Sequence, residues 1–127
     1  MNKREIRILL VDDESDFTQA MALWFKSRGY SVSVVYDGES ALRSIKKEPP
    51  GIVFLDIIMP HMNGYTVMKL IREFNKTLPV VFMSAHEEES EAKKKTSFYG
   101  VFAFFNKTSN FIEAEKLLNS ALNIDEA

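Results

Sequence analysis

The run Ile52-Val53-Phe54-Leu55-Asp56 constrains this chain more than any other stretch. Four apolar residues lead straight into a carboxylate. An unbroken apolar run of that length reads as a strand covered on both faces, the pattern of a parallel sheet. Asp56 then stands at the carboxyl end of the strand, the edge at which open α/β sheets bind their ligands.

The rest of the chain repeats the theme. Ile6 to Val11 is a first buried strand, ended by Asp12-Asp13-Glu14-Ser15. A helix is expected to about Arg28, with Phe17, Ala20, Met21, Trp24 and Phe25 at helical spacing and Gly29 as its stop. Ser31 to Tyr36 is a Val-rich strand, Asp37-Gly38 a turn, and Glu39 to Lys47 a helix with Ala41, Leu42 and Ile45 inward. Pro49-Pro50-Gly51 breaks that helix before the Ile52–Leu55 strand. A helix from about Tyr65 to Phe74 carries Val67, Met68 and Ile71. Pro79 to Met83 is a fourth strand ending at Ser84-Ala85, followed by a charged helix from about Glu87 to Tyr99. Val101 to Phe105 is a fifth strand ending at Asn106-Lys107, and Asn110 to about Leu122 a last amphipathic helix. Strict alternation with short links predicts an α/β fold: a parallel five-stranded sheet wrapped on both faces by helices, with right-handed crossovers.

The length of 127 residues fits a single domain over 1–127 with a sizeable core. With 46% apolar and 27% charged residues, a soluble globular protein is expected rather than a disordered one. No apolar run approaches the ~20 residues that cross a bilayer, and Met1-Asn2-Lys3-Arg4 leads into the first strand without a cleavable apolar segment. Cysteine is absent, which excludes disulfides and thiolate metal sites and suits a reducing cytoplasm. A net charge of −2 argues against a nucleic-acid surface. Few residues follow the last helix, so no output domain is expected within this sequence, which is either a free-standing domain or the front end of a longer protein.

The strand ends bring a set of polar groups to one edge of the sheet: Asp12 and Asp13, Asp56, Ser84 and Lys107. Singly, most have bland explanations. Asp12-Asp13 and Ser84 suit helix caps, and a lone lysine is usually a solvated charge. Together they are much harder to dismiss. Two carboxylates ~4 Å apart repel by roughly 4 kcal/mol at an effective dielectric near 20, so clustered acids call for a cation. Oxygen-only ligands suit a hard ion. Asp13 and Asp56 with one backbone carbonyl and several waters would make a Mg²⁺ site. Lys107 adds positive charge and Ser84 a hydroxyl donor, with small Ala85 beside it. These are the parts that phosphoryl transfer needs: a carboxylate nucleophile, a cation, and donors where charge spreads.

Those residues carry a resemblance that spans essentially the whole chain. Asp12-Asp13, Asp56 with Met59-Pro60 and Gly64 (the pattern D-x-x-M-P-x-x-x-G), Ser84-Ala85 and Lys107 resemble, in order and spacing, the receiver domain of two-component response regulators, the CheY-like family. The resemblance implies a flavodoxin-like three-layer (βα)5 sandwich with strand order 2-1-3-4-5. It implies Asp56 as phosphoacceptor, charged by a histidine kinase or a phosphotransfer protein, with no enzymatic activity beyond Mg²⁺-assisted self-phosphorylation and self-dephosphorylation. Asp12, through water, with Asp13, Asp56 and the Ile58 carbonyl would hold Mg²⁺; Ser84 and Lys107 would bind phosphoryl oxygens. Phe104, three residues before Lys107, matches an aromatic switch that turns inward when Ser84 is drawn toward phosphate. Signalling would run through the face built by the last two helices and the strand between them, toward a downstream protein or a second copy.

Two positions depart from the family pattern. Thr108 follows the lysine where proline is usual, and Val101 stands where a small alanine is usual. The aromatic crowding of Phe98, Tyr99, Phe102, Phe104 and Phe105 exceeds what one side of a strand can bury, which predicts an apolar partner surface. The helix from Glu87 to Tyr99 places Glu87, Glu88, Glu89 and Glu91 before Lys93, Lys94 and Lys95, with Glu89–Lys93 and Glu91–Lys95 as i,i+4 pairs. Ala92 and Phe98 are its chief apolar anchors, so it is expected to be loosely held. His86 is expected to face solvent rather than steer water. Two rival readings fare less well. A flavodoxin needs a Ser/Thr/Gly-rich phosphate loop where Asp12-Asp13-Glu14 stands, and a haloacid-dehalogenase-type phosphatase uses D-x-D after the first strand, where position 14 is Glu, together with a cap for which no segment is expected here. A receiver-like interaction module that takes no phosphate is the remaining alternative.

Overall fold

The computed structural model describes residues 2–85 and 89–124, the Glu89 side chain excepted. Strands and helices alternate as β1 (Arg7–Val11), α1 (Ser15–Ser27), β2 (Ser31–Val35), α2 (Gly38–Lys47), β3 (Ile52–Asp56), α3 (Gly64–Phe74), β4 (Val80–Ser84), α4 (Glu89–Tyr99), β5 (Ala103–Asn106) and α5 (Phe111–Ala121), after a 3-10 turn at Lys3–Glu5. All strand pairs are parallel, in the order β2-β1-β3-β4-β5. The parallel sheet is the one the alternation predicts, and the strand order is the flavodoxin-like one that the resemblance implies.

Alternate residues of each strand feed two cores, because side chains in a strand point to opposite faces. Leu9, Val11, Val53, Leu55, Val80 and Phe82 meet Ala41 and Ile45 of α2 and Val67, Met68 and Ile71 of α3. Ile8, Leu10, Ile52, Phe54, Val81, Met83 and Phe105 meet Met21, Ala22 and Phe25 of α1 and Ala114 and Leu118 of α5. Every residue of β3 is buried, so the run that opens the sequence argument lies in the middle of both cores.

Backbone geometry brings the strand ends together. Ile57 donates to the Met83 carbonyl at 3.0 Å and Lys107 to the Ser84 carbonyl at 3.1 Å, which locks the β3, β4 and β5 termini side by side. Gly64 lets α3 start directly against the end of β3: a Cβ there would lie 2.5 Å from the Asp56 carbonyl oxygen. At the opposite end of α1, Gly29 ends the helical stretch with φ +100, a conformation costly for side-chain-bearing residues.

Several boundaries and contacts differ from expectation. Gly38 opens α2 instead of ending a turn, because the Asp37 carboxylate caps the helix by accepting from Ser40 N at 2.8 Å. Ala20 is exposed, and Thr18 and Ala22 are buried on α1 instead. β5 begins at Ala103 rather than Val101: Gly100 takes φ 68 and Val101 still donates back to Thr96 at 3.2 Å, so Val101 belongs to the exit from α4. Phe98 is not an anchor of α4, being 82% exposed; the half-buried Tyr99 takes that place, stacked on Tyr65 with ring centroids 4.6 Å apart. Glu91 pairs with Lys94 at 3.8 Å, and Lys95 lies over the Tyr65 ring at 5.2 Å. The expected helix start at Glu87 and Glu88, the pairing of Glu89 and the placement of His86 fall outside the described residues.

Candidate functional site

Asp12 is wholly buried where β1 gives way to α1. Its Oδ1 accepts from Glu14 N at 2.9 Å, and the Thr18 hydroxyl donates to the Glu14 carbonyl at 2.7 Å. The loop is therefore fixed before any ligand is considered. Asp13 is exposed and lines a cavity at this edge. Asp56 ends β3 at 3% exposure, with Ile58 N 3.4 Å from its Oδ1. Ser84 ends β4 and is 2% exposed.

Lys107 comes in from the residue just past β5. Its ammonium lies 2.6 Å from Glu14 Oε1, 2.7 Å from Asp12 Oδ2 and 3.3 Å from Asp56 Oδ2. The Phe17 ring lies 4.9 Å from it, so the long apolar stem is sheltered. No cis peptide bond occurs among the described residues, so the loop through Thr108 delivers the lysine on an all-trans backbone.

A cavity of about 210 Å³ is lined by Asp13, Glu14, Asp56, Ile58, Ser84, Ala85 and Lys107. Asp12 does not line it and meets the site through the Lys107 ammonium, 2.7 Å from its Oδ2. Oxygens of Asp12, Asp13 and Asp56 lie within 4.8 Å of one another. The sequence-predicted set thus converges, with two qualifications. Ile58 exposes its side chain at 60% and borders the cavity. Phe104 does not line it; the half-buried ring borders a larger groove of about 770 Å³ between α4 and α5.

The electrostatics follow from the crowding. Burial, then the charge of Asp12, pushes the Asp56 carboxyl up to about 7 against the opposing pull of Lys107. Burial works against the Lys107 ammonium as well, but its contacts with Asp12 and Glu14 and the charge of Asp56 outweigh it and hold the pKa above the ordinary lysine value. Asp12 Oδ2 is buried without a well-aligned hydrogen bond, its charge met by the ammonium. Buried oxygens short of donors, in an all-carboxylate set, fit a hard divalent cation such as Mg²⁺.

Glu14 and Phe17 were not singled out from sequence as partners of Lys107. Glu14 is the third acid of the run Asp12-Asp13-Glu14, and that run was the available signal. A second polar cluster also escaped notice. Glu115 of α5, 6% exposed, accepts from Arg28 Nη2 at 2.8 Å, Arg28 Nε at 3.0 Å and the Tyr30 hydroxyl at 2.5 Å, with Lys3 at 3.7 Å.

Known proteins share this architecture. The receiver domain of NtrX from Brucella abortus superposes with a TM-score of 0.84 at 28% identity, covering 93% of this chain and 99% of that one. Chemotaxis protein CheY4 of Vibrio cholerae, at 24% identity, shares the fold with a TM-score of 0.85 over 92% of this chain and 98% of its own. Among full-length sequences, the alkaline phosphatase synthesis transcriptional regulatory protein PhoP of Bacillus subtilis is 34% identical over 70% of this chain and 36% of its own length. The response regulator GtcR of Aneurinibacillus migulanus is 30% identical over 91% of this chain and 47% of its own length. The chain thus spans about a third to a half of the curated relatives it matches. The family model described as response regulator receiver domain matches residues 8–119, from the second residue of β1 to near the end of α5, and the chain belongs to that family of two-component signalling domains.

Proposed function

We propose that this chain is a single receiver unit that takes a phosphoryl group on Asp56 and passes the change to a partner through α4, β5 and α5. The carrying observation is the position of Asp56: buried at a strand end, 3.3 Å from Lys107 and within 4.8 Å of two further acids. The donor is a phosphohistidine on a histidine kinase or phosphotransfer protein. A carboxylate oxygen of Asp56 forms a bond to phosphorus as the donor's P–N bond breaks, and the departing imidazole leaves neutral once protonated. Lys107 and Ser84 bind the equatorial oxygens, where the transition state spreads its charge. Asp12, Asp13, Asp56 and the Ile58 carbonyl would hold Mg²⁺. That ion supplies charge neutralisation among the acids and a template for the phosphoryl oxygens. Hydrolysis of the acyl phosphate by water returns the carboxylate and releases inorganic phosphate.

The signalling half of the proposal rests on two features. The groove beside β5 is bordered by Phe104 and by residues of α4 and α5, and Phe98 of α4 and Phe102 just before β5 are exposed at 82% and 46%. An apolar rim of that kind suits a protein partner or a second copy. Phe104 lies opposite Phe82 in the β4–β5 register, two positions before Ser84 on the neighbouring strand, close enough for a shift at Ser84 to reach the ring.

Incubation with acetyl phosphate and Mg²⁺ tests the acceptor. One phosphoryl group per chain is expected, lost in Asp56→Asn and lost on chelation. Full labelling of Asp56→Asn would refute the assignment, and no labelling of the wild type would favour a binding module that takes no phosphate.

A further inference from the structure

The Lys107 ammonium has three hydrogens and meets three carboxylates, of which Glu14 at 2.6 Å is the nearest. The three are not equivalent. The Asp12 and Asp56 side chains are 0% and 5% exposed, whereas that of Glu14 is 64% exposed. Glu14 also lies outside the group of acids whose oxygens approach one another closely enough to share a cation. It occupies the N-cap position of α1, yet its side chain makes no capping hydrogen bond. A carboxylate at that position ordinarily turns toward the free N–H groups of the first turn. Here the backbone of Glu14 is held by Asp12 and Thr18, and the side chain reaches back over the cavity to Lys107.

We infer that Glu14 is a positioning residue for the phosphoryl-binding lysine, an anion that holds Lys107 at rest and competes with the phosphoryl oxygens for it. The inference rests on Asp56 being the acceptor. Among the described residues the ammonium donates a well-formed hydrogen bond to Glu14, while Asp12 and Asp56 meet it as charge contacts, so a phosphoryl oxygen that takes that N–H displaces Glu14. Asp12 and Asp56 cannot withdraw without stranding a buried charge. Glu14 can swing into water, because its own side chain is already largely solvated while the Asp12 and Asp56 side chains are not. Glu14 is therefore the group that yields, and its return is what loosens the lysine from the phosphoryl group. The residue slows capture and shortens retention by the same contact.

The test compares wild type, Glu14→Gln and Glu14→Asp during labelling by acetyl phosphate at saturating Mg²⁺. Glu14→Gln is expected to label about 2–5 times faster at low salt, a modest range because one partner of the pair faces solvent. That advantage should shrink as salt rises, because added ions screen the wild-type pair. Glu14→Asp, one methylene shorter, should fall between. A purely structural role would give no such salt dependence. In parallel, NMR of the Lys107 ammonium reads the pair without any phosphoryl transfer: its protons should exchange with water faster in Glu14→Gln than in wild type. Equal labelling rates at low salt, or equal ammonium exchange, overturn the inference. A wild type that takes no label removes the acceptor reading instead, and the ammonium exchange then still decides whether Glu14 holds the lysine.

Discussion

Helices α4 and α5 flank the same edge strand and are held in opposite ways. Among described side chains, α4 buries only Ala92, and its best contact is the stack of Tyr99 on Tyr65. Thr96 donates to the Ala92 carbonyl at 2.6 Å, a back-bond that slightly weakens a helix. α5 buries Ala114, Glu115 and Leu118, is capped by Asn110 accepting from Glu113 N at 3.1 Å, and packs Phe111 against Phe17 and Trp24 of α1. The buried Glu115 ties it further to Arg28, Tyr30 and Lys3. A change at the sheet rim therefore meets one helix that can shift and one that serves as a fixed reference. Amide exchange should report this directly, with α4 opening well before α5.

The strongest way to break the contrast is to remove Glu115. Glu115→Ala leaves Arg28 and the Tyr30 hydroxyl without their acceptor, and a loss of about 3 kcal/mol in urea unfolding is expected. Amide protection in α5 should then fall toward that of α4. The same residue makes a pH prediction. Burial raises the Glu115 pKa, but hydrogen bonds from Tyr30 and Arg28 and the charges of Arg28 and Lys3 more than reverse it, leaving the pKa lowered. A lowered folded-state pKa gives stability that is complete above the unfolded value and is lost as pH falls through the folded one. Wild type should therefore lose stability on acidification below about pH 4.5 more steeply than Glu115→Gln. Equal acid sensitivity of the two would show that the network does not pin the helix.

The rim of the sheet works in the other direction. Asp56 has its pKa raised to about 7 in the absence of metal, chiefly by burial and then by Asp12. Its charged form costs stability that appears as pH rises from near 4 through about 7. Metal-free Asp56→Asn should be more stable than wild type by about 2 kcal/mol at pH 8, with little difference at pH 4. Mg²⁺ should narrow the gap by stabilising only the wild type appreciably. If the substitution instead destabilised the metal-free protein at pH 8, Lys107 would be doing more than offset the crowding.

Phe104 connects the two regions. The ring is half-buried, so Phe104→Ala is expected to cost about 1–2 kcal/mol, less than a fully buried phenylalanine. Labelling by acetyl phosphate should stay within about twofold, while any phosphate-dependent change in α4 exchange should disappear. Retention of that change would make the ring simple packing.

The fold was readable because each central strand is an apolar run with a polar full stop, and the same full stops are Asp12, Asp56, Ser84 and Lys107. Strand ends that lie in register on one edge bring these groups together without any long-range information. What depended on tertiary contacts was harder to see. Phe98 looks like an anchor in sequence, yet it faces away from the sheet. The late start of β5 depends on the left-handed turn at Gly100. Glu115 falls on the stripe Phe111, Ala114, Glu115, Leu118, so its burial was implicit in helical spacing, but its partners lie more than 80 residues away.

The smallest expected effect is also the most specific to α4. The Tyr65 hydroxyl is buried and has no hydrogen-bond partner among the described residues, although the ring packs on Phe82 and Tyr99. A buried hydroxyl without a partner is destabilising relative to the same ring without it. Tyr65→Phe keeps the stack and removes only that cost, so a gain of about 0.5–1 kcal/mol is expected. The gain should appear as slower amide exchange in α4, with α5 unchanged. A loss of stability would mean that the hydroxyl finds an acceptor when α4 shifts, which would make Tyr65 a participant in the movement of that helix instead of a passive surface beneath it.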